Sequence, residues 1–128
     1  MKIDHINISA PLPLLEQVRA FYCQVFGLVE NFRPKFSRKG YWLYAGDSPL
    51  VHLMESDHHH ACDKQPYLDH VAFQLSGLNA VVASLKSLGV EYRLSYLPEI
   101  DMTQLFFKDP AGNGLEANFI GEKCTRSE

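Results

Sequence analysis

Two stretches of this chain repeat one phrase. Ile3-Asp4-His5-Ile6-Asn7-Ile8 and Leu68-Asp69-His70-Val71-Ala72-Phe73 share an Asp-His pair followed by apolar residues at every second position. Alternation with period two marks a half-buried strand, and it turns each histidine away from the apolar face. Such a repeat within 128 residues constrains the fold more than any single motif. It predicts one supersecondary unit used twice.

The remaining elements follow the same order in both halves. A first strand over residues 2–10 is expected to stop at Pro11 and Pro13, which cannot supply ladder donors. Leu14, Val18, Phe21, Tyr22 and Val25 recur at helical spacing and predict a helix over 14–26, closed by Gly27. Strands are expected over 28–36, 41–45 and 50–55, with Gly46-Asp47-Ser48-Pro49 as a turn. The second half repeats this with a strand over 68–75 and a helix over 78–88 marked by Val81, Val82, Leu85 and Leu88 and stopped by Gly89. Strands over 90–94, 103–108 and 115–120 follow, with a loop over 95–101 and turns in Asp109-Pro110-Ala111-Gly112-Asn113-Gly114. The tail 121–128 is expected to fray. The predicted fold is α+β. It is a single domain, 1–128, of two β-α-β-β-β repeats, 1–55 and 67–120, whose curved mixed sheets form a cup.

Residues 56–66 are polar and read as the linker between the repeats. They include His58-His59-His60, but neighbouring histidines on a solvated loop cannot all converge on one ion. With 46% hydrophobic and 12% aromatic residues there is material for a buried core. A net charge of −3 argues against nucleic acid and anionic membrane as partners. No apolar run reaches membrane-spanning length, and the first residues do not form a signal peptide. Cys23, Cys62 and Cys124 are odd in number and lack metal-type spacing, which predicts reduced thiols in a cytoplasmic protein.

Four ionisable residues hold equivalent places on the first and last strands of the repeats: His5 and His52, then His70 and Glu116. The interval within the first pair differs by one residue from that within the second. Val51 and Leu53 flank His52, and Leu115 and Ala117 flank Glu116, so alternation puts each polar group opposite the apolar set. Asn7, Met54, Gln74 and Asn118 lie two residues along on the same side. A lone strand histidine is more often an ordinary half-buried residue than a ligand. Four at repeat-equivalent positions point instead to a divalent-metal site. Three imidazoles and one carboxylate suit Zn, Ni, Fe or Mn.

The sequence resembles the vicinal oxygen chelate superfamily of glyoxalases, bleomycin-resistance proteins and extradiol dioxygenases. The residues that carry the resemblance are Asp4-His5, Phe21-Tyr22 with Phe26-Gly27-Leu28, Val51-His52-Leu53, Asp69-His70-Val71 and the run from Phe106 to Glu116. The resemblance implies metal ligands at His5, His52, His70 and Glu116, with Glu116 also as catalytic base. It implies lyase or isomerase chemistry on a small oxygen-chelating substrate, and a homodimer, with the ligands around one ion coming from one chain or from two. One departure matters. Glyoxalase I usually has glutamate, and the epimerases glutamine, where His52 stands, so weak or absent turnover of the methylglyoxal–glutathione hemithioacetal is expected. A small extradiol dioxygenase and a non-catalytic antibiotic-binding protein are the alternative readings. The basic stretch Arg33, Lys35, Arg38 and Lys39 reads as a solvated turn, the usual fate of a charge run, with an anionic substrate moiety as its functional alternative. Trp42, Tyr44, Tyr96 and Phe106 are candidates to line the cup, and Gln104 to touch substrate.

Overall fold

Helix α1 (Leu12–Phe26) begins two residues before its expected start because both prolines that end the first strand serve the helix. Pro11 is its N-cap and Pro13 falls in the first turn, where a missing N–H leaves no hydrogen bond unmade. In the computed structural model, which describes residues 1–124, the chain divides into two compact units: Met1–Cys62, and Asp63 onward. The expected fraying of the tail beyond 124 lies outside the described residues.

The first unit runs β1 (Ile6–Ala10), α1, β2 (Val29–Asn31), β3 (Gly40–Ala45) and β4 (Ser48–Glu55). Its sheet has the order β1-β4-β3-β2, with β1 parallel to β4 and the other pairs antiparallel. Parallel neighbours need a crossover, and α1 provides it. The helix buries Leu15, Val18, Phe21, Tyr22 and Val25, and packs on β1, β3 and β4. Gly27 closes it at φ 69°, a left-handed conformation that glycine adopts without steric cost. Strand β1 is shorter than expected, so His5 stands one residue before it. Strand β2 also ends early, and residues 32–39 leave the sheet as a loop.

The second unit runs β5 (Val71–Gln74), α2 (Leu78–Ser87), β6 (Arg93–Leu97), a 3₁₀ turn at Pro98–Ile100, β7 (Met102–Lys108) and β8 (Gly114–Ile120). The order β5-β8-β7-β6 repeats the topology of the first unit, again with the first and last strands parallel. The fold is thus α+β, two four-stranded mixed sheets each with one helix. His70, like His5, precedes its strand by one residue. Strand β6 starts three residues later than expected. The Gly89 amide bonds to Lys86 O at 3.0 Å and the Val90 amide to Leu85 O at 2.9 Å, so the helix-closing turn uses the residues assigned to the strand. At the other end of α2, the Glu122 carboxylate accepts from the Leu78 amide at 2.9 Å and from the Gly77 amide. A side chain distant in sequence therefore caps this helix.

The run before Glu116 is shaped by Asp109, which is 4% exposed. One carboxylate oxygen accepts from the Ala111 and Asn113 amides at 2.9 and 3.0 Å, and the other from the Asn113 side chain at 3.0 Å. This fixes the β7–β8 turn and hence the register that faces Phe106 with Glu116. Asp109→Ala removes the three hydrogen bonds that hold the turn and is expected to lower stability by about 2 kcal/mol, read as a shifted urea midpoint. A change within error would show that the turn holds without it. Among the described residues no helix is long and apolar enough to cross a membrane.

Candidate functional site

In the second unit the pairing of β5 with β8 and of β7 with β8 places Glu116 opposite both Ala72 and Phe106. Glu116 is 7% exposed, and each of its oxygens has a separate partner. Oε1 lies 3.1 Å from His70 Nε2, and Oε2 accepts from Gln104 Nε2 at 2.9 Å. His70 Nδ1 is 2.8 Å from Asp69 Oδ2. The hydrogen bond to Asp69, helped by the Glu116 charge, raises the His70 pKa above 6.5. Two residues beyond Glu116, the side-chain oxygen of Asn118 is buried with no partner, which leaves an acceptor free for a ligand hydroxyl or amine.

The first unit presents the equivalent positions with different chemistry. Asn7, His52 and Trp42 face one another across β1, β4 and β3. Asp4 Oδ2 is 2.7 Å from His5 Nδ1, and the bond holds Asp4 below the ordinary carboxylate range. Each unit therefore begins with an aspartate that binds Nδ1 of the following histidine. Sequence reasoning saw the repeated Asp-His pair and gave the aspartates no role. An orienting carboxylate of this kind fixes the tautomer that leaves Nε2 for a ligand's place.

His52 lies between two rings. His5 stacks on one face at 3.8 Å and 8°, and Trp42 on the other at 4.1 Å and 15°. Its Nε2 donates to Pro49 O at 2.9 Å, so Nδ1 carries the lone pair. Burial, reinforced by the neighbouring His5, lowers its pKa and keeps it neutral. Lone pairs lie in the ring plane, so two stacked imidazoles cannot aim at one point. His52 must turn out of the stack, and give up Pro49, to ligate together with His5. Among the described residues no three His, Cys, Asp or Glu side chains stand together as a ready metal site. What the fold brings together is two pairs, His5 with His52 and His70 with Glu116.

Other candidates take supporting or remote places. Gln104 holds Glu116. Tyr96 donates to Asp101 at 2.7 Å, and Tyr44 donates to Phe32 O at 2.5 Å. The histidines at 58–60 are exposed, and Ser56 ties the segment by accepting the His58 amide at 3.1 Å and pairing with His59 at 2.7 Å. Among the described residues Cys23, Cys62 and Cys124 form no disulfide.

The model of one family, Glyoxalase/Bleomycin resistance protein/Dioxygenase superfamily, matches residues 2–117. Among solved structures, the chain is similar to a glyoxalase family protein from Bacillus anthracis, at 25% identity and TM-score 0.72 over 94% of this chain and 95% of that one. It is similar to a glyoxalase family protein from Enterococcus faecalis, at 26% identity and TM-score 0.62 over 91% and 96%. It also shares its fold with the fosfomycin resistance protein FosX from Listeria monocytogenes complexed with Mn(II) and sulfate, at 19% identity and TM-score 0.66 over 92% and 91%. No curated protein matches the chain.

Proposed function

Because the chain belongs to the Glyoxalase/Bleomycin resistance protein/Dioxygenase superfamily, we propose that it is a divalent-metal-dependent enzyme acting on a small substrate with neighbouring oxygens. His5, His52, His70 and Glu116 are the proposed ligands. The observation that carries this reading is the His70–Glu116 pair. Its nitrogen and oxygen face each other at 3.1 Å. Ligand atoms at about 2.1 Å from one cation and at right angles to each other stand about 3 Å apart, so the spacing of the pair fits a shared cation. The Mn(II) complex of FosX is consistent with a metal of this class in this fold.

A divalent cation supplies Lewis-acid polarisation of a substrate oxygen. The chain's own residues do the rest. Asp69 and Asp4 hold the tautomers of His70 and His5. Gln104 holds Oε2 of Glu116, and Oε1, the proposed ligand atom, would accept or return a proton on leaving the cation. Asn118 offers its unpaired oxygen to a substrate hydroxyl. Isomerase or lyase chemistry fits this set best, since a single buried carboxylate is poised to move a proton. The fold is expected to work as a homodimer, which sedimentation velocity tests.

Metal binding at His70 competes with protonation of its ring. Asp69 raises the His70 pKa above 6.5, so the proton competes at a higher pH than for an ordinary histidine. Calorimetric titration with Zn²⁺ or Mn²⁺ is expected to show affinity falling about tenfold per pH unit once pH drops below that raised value. The substitutions His58→Ser, His59→Ser and His60→Ser together should leave the curve unchanged. An affinity independent of pH between about 5.5 and 8 would contradict His70 as a ligand, as would its loss in the triple variant.

A further inference from the structure

The β2–β3 loop carries four cations, Arg33, Lys35, Arg38 and Lys39, and two of them are held in place. The Arg33 guanidinium lies over the Phe36 ring at 4.8 Å, and its Nη2 donates to Arg38 O at 3.2 Å. It also rests against Gly40. A Cβ there would meet Leu53 O at 2.0 Å, Arg33 Nη2 at 2.9 Å and Arg33 Cζ at 3.1 Å, so any other residue at 40 would push the arginine out. Arg38 Nη1 donates to Glu55 O at 3.3 Å. Lys35, Arg38 and Lys39 are exposed, as in a solvated turn, whereas Arg33 is half-buried. Long basic side chains in water keep their rotamer freedom, and ordering them costs about 2 kcal/mol each.

Arg33 Nε is buried and has no partner. An unmet buried donor costs about 1–3 kcal/mol, and on a guanidinium it calls for an oxygen acceptor. Arg33, Ser37 and Arg38 line one end of a cleft of about 390 Å³ in the first unit, and His5 and His52 line the same cleft. Phe36 and Trp42, whose ring centroids are 6.2 Å apart, form the wall between. None of the residues lining the cleft is acidic.

We propose that the Arg33–Arg38 end of this cleft binds an oxyanion group of the substrate, whose apolar or planar middle lies along Phe36 and Trp42 and whose oxygens reach the His5–His52 end. The substrate class is then a small molecule with an anionic head and an oxygen-bearing opposite end. The inference deepens the metal-centre reading and rests on it only for the far end of the cleft. Recognition by Arg33 would be preorganised, because stacking on Phe36 and the seat over Gly40 fix the guanidinium before ligand arrives.

Trp42 is the only tryptophan, so its fluorescence reports on this cleft alone. The full chain is titrated with sulfate, a tetrahedral dianion, and with acetate, a planar monoanion, with chloride holding the ionic strength constant. Saturable change with either ion is expected, and the tighter one identifies the head group. Arg33→Met should weaken that binding about tenfold, and Arg38→Gln about threefold, in protein whose thermal unfolding matches wild type. Arg33→Lys should lose most of the affinity despite keeping its charge, since an ammonium ion cannot reproduce the stacked fork. No saturable binding of either ion to wild type overturns the proposal, as does equal affinity in Arg33→Met. If Arg33→Met does not fold, equal affinity in Arg38→Gln overturns it. Zn²⁺ stoichiometry is measured on the same samples. Anion binding without metal binding would sink the metal reading and leave this subsite standing, whereas Arg33-independent anion binding with normal metal uptake would do the reverse.

Discussion

Glu116→Ala is expected to weaken Zn²⁺ or Mn²⁺ binding by more than about a hundredfold without unfolding the protein. The magnitude follows from its position. Losing an outer partner of a metal ligand costs about ten- to a hundredfold, and losing a charged ligand costs more. Glu116 is also the only carboxylate among the four proposed ligands, so its removal takes away all of their negative charge. The metal-free fold should tolerate the change because the partners left behind, His70 and Gln104, are partly exposed and can turn to water. Gln104→Ala provides the graded comparison: it frees one Glu116 oxygen and should cost about tenfold in affinity. Calorimetry on the two variants and wild type checks the order. Metal affinity unchanged in Glu116→Ala would remove the carboxylate from the site and with it the proposed proton-transfer step.

Gly114→Ala should be the most disruptive single methyl in the second unit. A Cβ at 114 would sit 2.4 Å from the Asp69 carbonyl oxygen and 3.5 Å from His70 Cβ. The obstructing atom is backbone and cannot swing aside, so β8 and the chain leading into β5 must separate. The expected loss is about 3 kcal/mol, at the upper end for overpacking. It should be accompanied by loss of metal affinity, because the displaced segment carries both His70 and the aspartate that orients it. Urea unfolding followed by Zn²⁺ titration of the folded fraction tests both parts. Wild-type stability would mean that the two strands can part at little cost. Stability lost with metal affinity intact would separate the packing role of Gly114 from any role in the site.

Gly114 also shows where sequence reasoning stops. In the sequence it ends a turn rich in Gly, Asp and Asn, and a turn was the whole expectation. Its close approach to Asp69 depends on β5 pairing with β8, a contact between segments far apart in the chain. What local pattern can encode was legible: two repeats, their helices, the glycine stops, and the alternation that sets His52 opposite Val51 and Leu53. Strand β6 was displaced because a helix-closing turn consumed residues whose alternation resembled a strand. Strand β1 is shorter than expected because the period-two pattern of Ile6 and Ile8 breaks at Ile3, which is out of phase with them, and ladder pairing with β4 begins at Ile6.

The site was legible to the same depth. Four residue positions could be read from the repeat, but not what surrounds them. The stacking of His52 between His5 and Trp42 requires three strands in register, and the Gln104–Glu116 bond requires the β7–β8 hairpin. The basic loop was the clearest case. Its charges look like a solvated run until Phe36 and Gly40 are seen to hold Arg33 from two sides, and composition carries no trace of that.

The central claim is that His5, His52, His70 and Glu116 bind a divalent cation. It is tested most directly by elemental analysis of protein made without a histidine tag, stripped, reloaded with Zn²⁺, Mn²⁺, Ni²⁺ or Fe²⁺, and freed of excess metal. The account predicts about one ion per chain for at least one of these metals. That content should survive His58→Ser, His59→Ser and His60→Ser together and be lost in His70→Ala. Protein that retains no stoichiometric metal, or retains it equally in His70→Ala, would contradict the claim and make the chain a metal-independent member of its superfamily.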